Sequence, residues 1–248
     1  MLAEERFHKI MHIIEQEGSV TVSQLMRELG ASESTIRRDL NTLDENGMVT
    51  KVFGGAVAKK GTIRTEDEAL SGRKLLHAEE KKEIGRYAAS LVTSEDFVYL
   101  DAGSTTEMMI DYLDCPRAVF VTNSFANAQK LAGRGYQVMV LGGEYKAATE
   151  AVVGDIAVEA LQKYNFTKGF WGTNGITVTN GFTTPESREA MVKHKSMKHC
   201  KERYILADAS KFSQISSIRF AGFADATIIT TRLEQKSFRK YQNVWEVS

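Results

Sequence analysis

The chain has 248 residues, of which 42% are apolar and 26% charged, and its formal net charge is zero. This composition excludes a disordered chain, and no apolar run approaches the roughly 20 residues of a membrane-spanning helix. The charged, amphipathic N-terminal segment is not typical of a signal peptide. The length predicts about two domains. Two isolated cysteines, Cys115 and Cys200, fit a reduced, cytoplasmic protein.

The charge distribution gives no global sign of nucleic-acid binding. The first sixty residues carry nine acidic and eight basic side chains. Any contact with DNA in this region therefore has to come from locally placed basic residues rather than from a basic domain.

The N-terminal region shows three helical patterns followed by a hairpin. Apolar spacing predicts helices over Arg6–Gln16 and Ser23–Leu29, and Ser32 is a good N-cap for a third helix over about Glu33–Asn46. Two short strands around Gly54-Gly55 then predict a hairpin, or wing. This order is typical of a winged helix-turn-helix, whereas the alternative is a small bundle with a solvated third helix.

The third predicted helix has a polar outer face. Ile36, Leu40 and Leu43 mark its buried stripe. Arginine and asparagine read base edges through paired hydrogen bonds, while hydroxyl groups hold phosphates. The residues predicted to bind DNA lie on this helix and on the wing: Ser32, Ser34, Thr35, Arg37, Arg38, Asn41, Lys51, Gly54 and Gly55.

The remainder of the chain predicts an α/β domain. Residues 59–73 are polar without apolar periodicity and predict a linker between a DNA-binding domain, 1–58, and a larger domain, 74–248. From Phe97 onward, short apolar runs alternate with helical segments, which predicts a mostly parallel sheet covered on both faces. The predicted strands are 97–100, 119–121, 138–141, 166–171, 204–206, 227–229 and 244–247. The predicted helices are 73–91, 105–113, 125–132, 156–163 and 187–198.

The turn after the first of these strands predicts an anion site. Asp101–Thr106 joins a buried strand to a helix, and Gly103 allows close approach of the backbone. The first helical turn offers unpaired N–H groups, and Ser104, Thr105 and Thr106 add hydroxyls, so phosphate is the natural occupant. The alternative is an ordinary turn in which Ser104 only caps the helix. The spacing matches neither a Walker A loop nor a GxGxxG turn.

Polar residues also follow the other predicted strands. Ligands of parallel sheets bind beyond the carboxyl ends of the strands, so these loops would converge on one pocket. Lys211 is its obvious cation, with carboxyl groups at Asp101, Asp208, Glu144 and Glu186. Because turns favour glycine, asparagine and aspartate for conformational reasons, any single loop is better explained as structural.

These motifs resemble the DeoR family of bacterial repressors. The N-terminal pattern appears as Arg6, Ile10 and Ile14, followed by Ser-Glu-Ser-Thr-Ile-Arg-Arg-Asp-Leu at 32–40 and by Gly54-Gly55-Ala56. The resemblance covers almost the whole chain and continues at 101–106, 122–123, 141–143, 174–176, 181–186 and 206–212.

The resemblance implies an effector domain of the ribose-5-phosphate isomerase fold that senses phosphorylated sugars. Similarity to fructose-operon repressors implies a fructose phosphate. The expected partners are operator DNA and the phosphorylated sugar, with no membrane, cofactor or metal. The implied effector contacts are Asp101, Gly103, Ser104, Thr105, Thr106, Asn123, Asn174, Glu186 and Lys211.

Two further expectations concern assembly and catalysis. A single small reading head rarely binds DNA tightly enough, so a homodimer or homotetramer is expected. The alternative function is a sugar-phosphate isomerase-like enzyme with an appended DNA-binding module, because Asp101 and Asp208 are available as general bases. We expect a sensor without catalytic residues, since a DNA-reading module makes sense only if the sugar is a signal.

Overall fold

A computed structural model describes residues 3–45, 49–58, 76–233 and 237–247. The chain divides into two compact units, Met1–Thr62 and Ile63–Ser248. The predicted linker, 59–73, lies outside the described residues. None of the described helices is long and apolar enough to cross a membrane.

The first unit is a winged helix-turn-helix. Its helices are α1 (Ala3–Glu17), α2 (Val22–Leu29) and α3 (Glu33–Glu45). Its strands, β1 (Ser19–Thr21), β2 (Val49–Val52) and β3 (Gly55–Ala58), form an antiparallel sheet in the order β1-β3-β2. The apolar stripes of the three helices meet in one core, which includes Ile10, Ile14, Leu25, Ile36 and Leu40.

Two glycines fix the turns of this unit for different reasons. Gly30 ends α2 in the left-handed conformation, with φ +61°, as the sequence predicted. Gly55 pairs with Thr21 in the sheet, and a Cβ at Gly55 would lie 2.0 Å from the carbonyl oxygen of Val20. The second glycine is therefore required by the close approach of two backbones.

We expect Gly55→Ala to destabilise the first unit. The added methyl group collides with backbone that cannot move without breaking the pairing of β1 with β3, a cost of about 1–3 kcal/mol. Calorimetry of the full-length chain should show one unfolding transition at lower temperature. Gly133→Ala is the control, because nothing lies within 4 Å of a Cβ there. An unchanged transition in Gly55→Ala would contradict this account of the wing.

The second unit is built on a seven-stranded sheet. Its strands are β4 (Phe97–Leu100), β5 (Val119–Thr122), β6 (Gln137–Val140), β9 (Phe166–Trp171), β12 (Cys200–Leu206), β14 (Thr227–Thr231) and β15 (Val244–Val247). They lie in the order β15-β14-β12-β9-β4-β5-β6, and every pairing is parallel. The predicted parallel sheet is confirmed.

Both faces of this sheet are covered, which explains why the central strands β4 and β5 carry buried apolar residues on both sides. Alternate residues enter different cores: Tyr99 and Trp171 lie in one, while Val98, Leu100 and Phe170 lie in the other. The covering helices are α4 (Ala78–Ser90), α5 (Ser104–Met109), α6 (Phe125–Gly133), α7 (Asp155–Ala160) and α8 (Ser187–Lys198).

The sequence did not predict two small antiparallel sheets. One pairs β7 (Glu144–Lys146) with β8 (Ala151–Val153), and the other joins β10 (Gly175–Thr177), β11 (Gly181–Thr184) and β13 (Ile218–Ala221). Strands this short carry too few residues to show a period of two.

The strand order reverses in the middle of the large sheet. The chain moves outward from β4 through β5 to β6, then returns to place β9 on the other side of β4. A crevice opens at such a reversal, and ligands of open α/β sheets bind there, beyond the carboxyl ends of the strands.

Candidate DNA-binding face and ligand cavity

The outer face of α3 presents polar side chains to solvent. Ser32, Ser34, Arg37, Arg38 and Asn41 are exposed and Thr35 is half-buried, whereas the apolar side of the same helix is fully buried. The Ser32 hydroxyl accepts a hydrogen bond from the Thr35 N–H at 3.3 Å. It therefore caps the helix as expected, and it lies 2.9 Å from the Thr35 hydroxyl.

The wing packs beside this face. The Lys51 ammonium donates to Asn41 Oδ1 at 2.5 Å, and the Lys51 backbone N–H donates to Asp44 Oδ1 at 2.9 Å. Gly54, with φ +81°, closes the hairpin, and the Val22 N–H donates to its carbonyl at 2.9 Å. The predicted DNA-binding residues of α3 and the wing thus lie on neighbouring surfaces.

The two adjacent arginines of α3 differ in their partners. Arg37 forms an ion pair with Glu33 one turn earlier, at 2.7 Å. Arg38 is exposed, and its side chain makes no hydrogen bond or ion pair with any residue that the structure describes. Arg38 is therefore the arginine whose five donors remain available to a partner.

Asp39 has a structural role. Its buried carboxylate accepts two hydrogen bonds from Arg6 of α1, at 2.7 and 2.9 Å. This bond raises the pKa of Arg6. The pair ties α1 to the inner side of α3 and leaves the outer face free.

Asp39→Asn should lower the thermal stability of the first unit. It removes the negative charge that faces a part-buried guanidinium and keeps the shape of the side chain. The control is Glu33→Gln, which breaks the exposed pair with Arg37, and exposed pairs contribute little. A thermal melt in which both variants match the wild type would contradict a structural role for Asp39.

A cavity of about 40 Å³ lies at the strand reversal of the second unit. A single buried water needs roughly 10–15 Å³, so side chains do not plug the turn after β4. The lining residues come from the segments that follow β4 and β9, from the end of β12 and the segment after it, from α4 and α8, and from the three positions Leu76, His77 and Thr149. They are Leu76, His77, Lys81, Ala102, Gly103, Ser104, Thr105, Thr149, Gly172, Thr173, Asn174, Glu189, Lys193, Leu206, Ala207, Asp208 and Lys211.

The three hydroxyls of the predicted anion turn divide into two roles. Thr106 is fully buried, and its hydroxyl donates to the carbonyls of Asp101 and Gly103 at 2.7 and 2.9 Å. Ser104 and Thr105 line the cavity, and neither hydroxyl has a hydrogen-bond partner among the described residues. Ser104 is not a cap, because the helix begins at this residue. Two hydroxyls thus remain available to a ligand.

Gly103 avoids a tight contact rather than adopting an unusual conformation. Its φ of 172° is extended backbone that any residue adopts. A Cβ there would lie 3.3 Å from the Thr106 hydroxyl, which is tighter than ordinary contact. Glycine therefore keeps the turn close to the Thr106 side chain that holds it.

Two predicted effector contacts, Asn123 and Glu186, are bonded to protein and do not line the cavity. Asn123 Oδ1 accepts from the Ala102 N–H at 2.9 Å, so Asn123 positions the anion turn from the neighbouring strand. Glu186 caps α8 by accepting from the Arg188 and Glu189 N–H groups. Burial by itself would raise the pKa of Glu186, but hydrogen bonds from Arg188 outweigh it and hold the pKa below its ordinary value.

Asp101 lies behind the cavity wall, and its partner is a lysine that the sequence analysis missed. The buried ammonium of Lys193, on α8, donates to the buried carboxylate of Asp101 and to the Gly172 carbonyl, the latter at 3.2 Å. Burial raises the pKa of Asp101, although the positive charge of Lys193 acts to lower it. The two residues are 92 positions apart, so no local signal joined them.

More charged residues line the cavity around Asp208. Lys81, His77 and Lys211 lie near Asp208, and Lys81 also donates to the Leu76 carbonyl at 2.6 Å. Burial opposes ionisation of Asp208, but Lys211, a hydrogen bond from Ser210 and the other two cations hold its pKa below the ordinary value. A hydrogen bond to Glu80 raises the pKa of His77.

The fold also gathers three potential metal ligands that lie apart in the sequence. Ligand atoms of His77, Glu80 and Asp208 all lie within 4.8 Å of one another. Because Lys211 and Lys81 already supply positive charge to Asp208, we interpret the cluster of His77, Glu80 and Asp208 as part of the network of charged residues around the cavity.

The cavity lining therefore combines cations, hydroxyls and hydrogen-bond acceptors. Of the nine predicted effector contacts, it brings together Gly103, Ser104, Thr105, Asn174 and Lys211, while Asp101, Thr106, Asn123 and Glu186 lie outside its lining. Cations and hydroxyl donors suit an anion such as phosphate, and carboxylates with Asn174 suit alcohol groups.

Comparison with known proteins matches both units. Residues 6–62 match a model described as "DeoR-like helix-turn-helix domain", and residues 76–232 match "DeoR C terminal sensor domain". The chain is 45% identical to the uncharacterized HTH-type transcriptional regulator FruR of Bacillus subtilis, covering 98% of this chain and 96% of FruR. It is 28% identical to the lactose phosphotransferase system repressor of Streptococcus mutans, covering 93% and 92%.

Solved structures give a more distant likeness. Ribose 5-phosphate isomerase A of Methanocaldococcus jannaschii matches with a TM-score of 0.39 and 16% identity, over 54% of each chain.

The winged helix-turn-helix and the matched sensor domain define a DNA-binding transcriptional regulator. The chain belongs to the DeoR family of DNA-binding transcriptional repressors, as the sequence motifs predicted.

Proposed function

We propose that this chain represses a sugar-utilisation operon and that a phosphorylated sugar in the cavity of the second unit controls its affinity for operator DNA. One observation carries the proposal. The hydroxyl groups of Ser104 and Thr105 form no hydrogen bond with any described residue, and both residues line a cavity that is also lined by lysines. The name of the S. mutans relative, a repressor of a lactose phosphotransferase system, supports the same class of signal.

The ligand would divide between two walls. A phosphate dianion would accept from the Ser104 and Thr105 hydroxyls near Gly103, with Lys211 or Lys193 supplying charge. Sugar hydroxyls would bond to Asp208 and Asn174, whose acceptors suit alcohols. We propose a fructose phosphate as the effector, because the chain resembles fructose-operon repressors.

Fluorescence of Trp171 tests effector binding. This residue precedes the cavity loop, is buried, and donates to Ser196 at 2.9 Å. The other tryptophan, Trp245, is replaced by phenylalanine so that one fluorophore remains. Titration with fructose 1-phosphate, fructose 6-phosphate and free fructose should change the emission at much lower concentrations of the phosphorylated sugars than of free fructose. If neither these nor a wider panel of sugar phosphates binds, the proposed effector class is wrong.

We propose that the cavity senses its ligand without converting it. Isomerisation needs a free carboxylate beside the carbon that loses its proton. Asp101 is held by Lys193, and Asp208 accepts from the Ser210 N–H at 3.0 Å. Proton NMR of ribose 5-phosphate or fructose 6-phosphate in D₂O should show no exchange at C2 or C1 above the background. Catalysed exchange would favour the isomerase-like alternative.

The repressor would act in the cytoplasm as a homodimer or homotetramer, so that two α3 faces meet two half-sites. Effector binding and DNA binding must then change each other's affinity by the same factor. We expect the phosphorylated sugar to weaken DNA binding, measured by anisotropy on a duplex selected from a random pool. Light scattering should give the mass of at least two chains. Stronger binding with effector would reverse the proposed sign.

A further inference from the structure

The tip of the wing carries a phenylalanine that none of the described protein groups covers. Phe53 is 109% exposed, and its neighbour Val52 is 43% exposed. Exposed single apolar residues are common, so exposure alone decides nothing. What distinguishes Phe53 is its position at the end of a stiff hairpin beside the DNA-reading face.

Several contacts hold this hairpin rigid. Val52 pairs with Gly55, so Phe53-Gly54 is a two-residue loop, and the positive φ of Gly54 closes it. Gly55 is fixed against the Val20 carbonyl on one side. On the other side, Lys51 bonds to both Asn41 and Asp44 of α3. The hairpin that carries the phenyl ring is therefore expected to lose little conformational entropy when the ring binds a partner.

The neighbouring lysine favours DNA as that partner. Lys51 is exposed and touches Asn41, one of the outward residues of α3, so the wing begins at the edge of the groove-reading face. Two residues of strand place Phe53 roughly 7 Å beyond Lys51. With α3 in the major groove and Lys51 near the bordering phosphates, the tip would lie at the adjacent minor groove.

Minor-groove proteins use apolar side chains as wedges. Such a side chain enters between two base pairs, partly unstacks them and bends the duplex. The cost is smallest at flexible pyrimidine–purine steps, so a wedge selects sequence without hydrogen bonds to bases.

We propose that Phe53 inserts into the minor groove beside each half-site, bends the operator and selects a flexible step there. This inference rests on the proposed DNA-reading role of α3. Its ligand is duplex DNA, its contact is apolar, and its effect on binding is largely independent of salt, unlike that of Lys51.

A selection experiment tests the wedge. The full-length wild type, Phe53→Ala and Phe53→Leu each select duplexes from a pool with thirty random base pairs. The wild type should enrich a pyrimidine–purine step at a fixed distance from the half-site, and Phe53→Ala should lose that enrichment while keeping the half-site. Phe53→Leu should retain part of it, since leucine also serves as a wedge. Phe125→Ala, in the second unit, is the control because Phe125 is also exposed.

The selected duplex then reports geometry. With a fluorophore at each end for energy transfer, the end-to-end distance of the duplex should shorten when the wild type binds and stay unchanged when Phe53→Ala binds. Phe53→Ala should also bind about tenfold more weakly, while the dependence of its affinity on salt concentration stays the same. Equal bending, flanking preference and affinity in both proteins would overturn the wedge. So would a changed mass in light scattering with unchanged bending, which would assign the tip to protein contacts. If the wild type selects no sequence, the α3 proposal itself fails.

Discussion

Arg38→Ala is expected to abolish selective operator binding while leaving effector binding intact. The side chain is exposed, has no partner among the described residues, and lies on the side of α3 opposite its buried stripe. A paired contact from arginine to a base is worth about 1–3 kcal/mol. Two reading heads double that loss, so binding should fall toward the level of nonspecific DNA. Anisotropy on the selected duplex and on a scrambled duplex measures the ratio.

The matched control for Arg38 is Arg27→Ala. Arg27 is an exposed arginine at the end of α2, so its removal takes away the same charge from a different surface. We expect Arg27→Ala to reduce binding to both duplexes similarly and to preserve their ratio. Equal loss of selectivity in the two variants would argue against α3 as the reading helix. Loss of sugar-phosphate binding in Arg38→Ala would contradict separate functions for the two units.

Thr105→Val is expected to weaken binding of the phosphorylated sugar by about ten- to a hundredfold. Valine keeps the shape of threonine and removes the hydroxyl, and a hydrogen bond to a charged group is worth about 1.5–3 kcal/mol. Binding of a phosphate-free sugar should not change. The stability of the second unit should also be preserved, because the Thr105 hydroxyl bonds to no described residue. Calorimetric titration and a thermal melt measure the two effects.

Thr106→Val supplies the comparison on the same turn. Its hydroxyl is buried and holds the carbonyls of Asp101 and Gly103, so removing it should cost about 1–3 kcal/mol of stability. Adjacent threonines thus have opposite expected signatures: affinity lost at Thr105, stability lost at Thr106. If Thr105→Val binds the sugar phosphate as the wild type does, the phosphate does not contact this hydroxyl.

Much of the architecture was accessible from local patterns. The strands at 97–100, 166–171 and 244–247 and the helix at 187–198 have the bounds that periodicity predicted. Long or fully buried elements carry a strong apolar signal of their own. The three-residue strands β1, β7, β8 and β10 do not, because their pairing comes from partners elsewhere in the fold.

The sequence by itself determined the family, the winged helix-turn-helix, the parallel sheet and the polar turn at 101–106, because motifs and periodicities are local. Only the tertiary structure decided which polar groups remain available. In the folded chain, Asp39 forms an ion pair with Arg6, and Asp101 forms one with Lys193. The Thr106 hydroxyl is buried and bonded to the backbone, whereas Ser104 and Thr105 line the cavity. A residue's type states what it is able to bond, but its availability depends on groups that folding brings from distant positions.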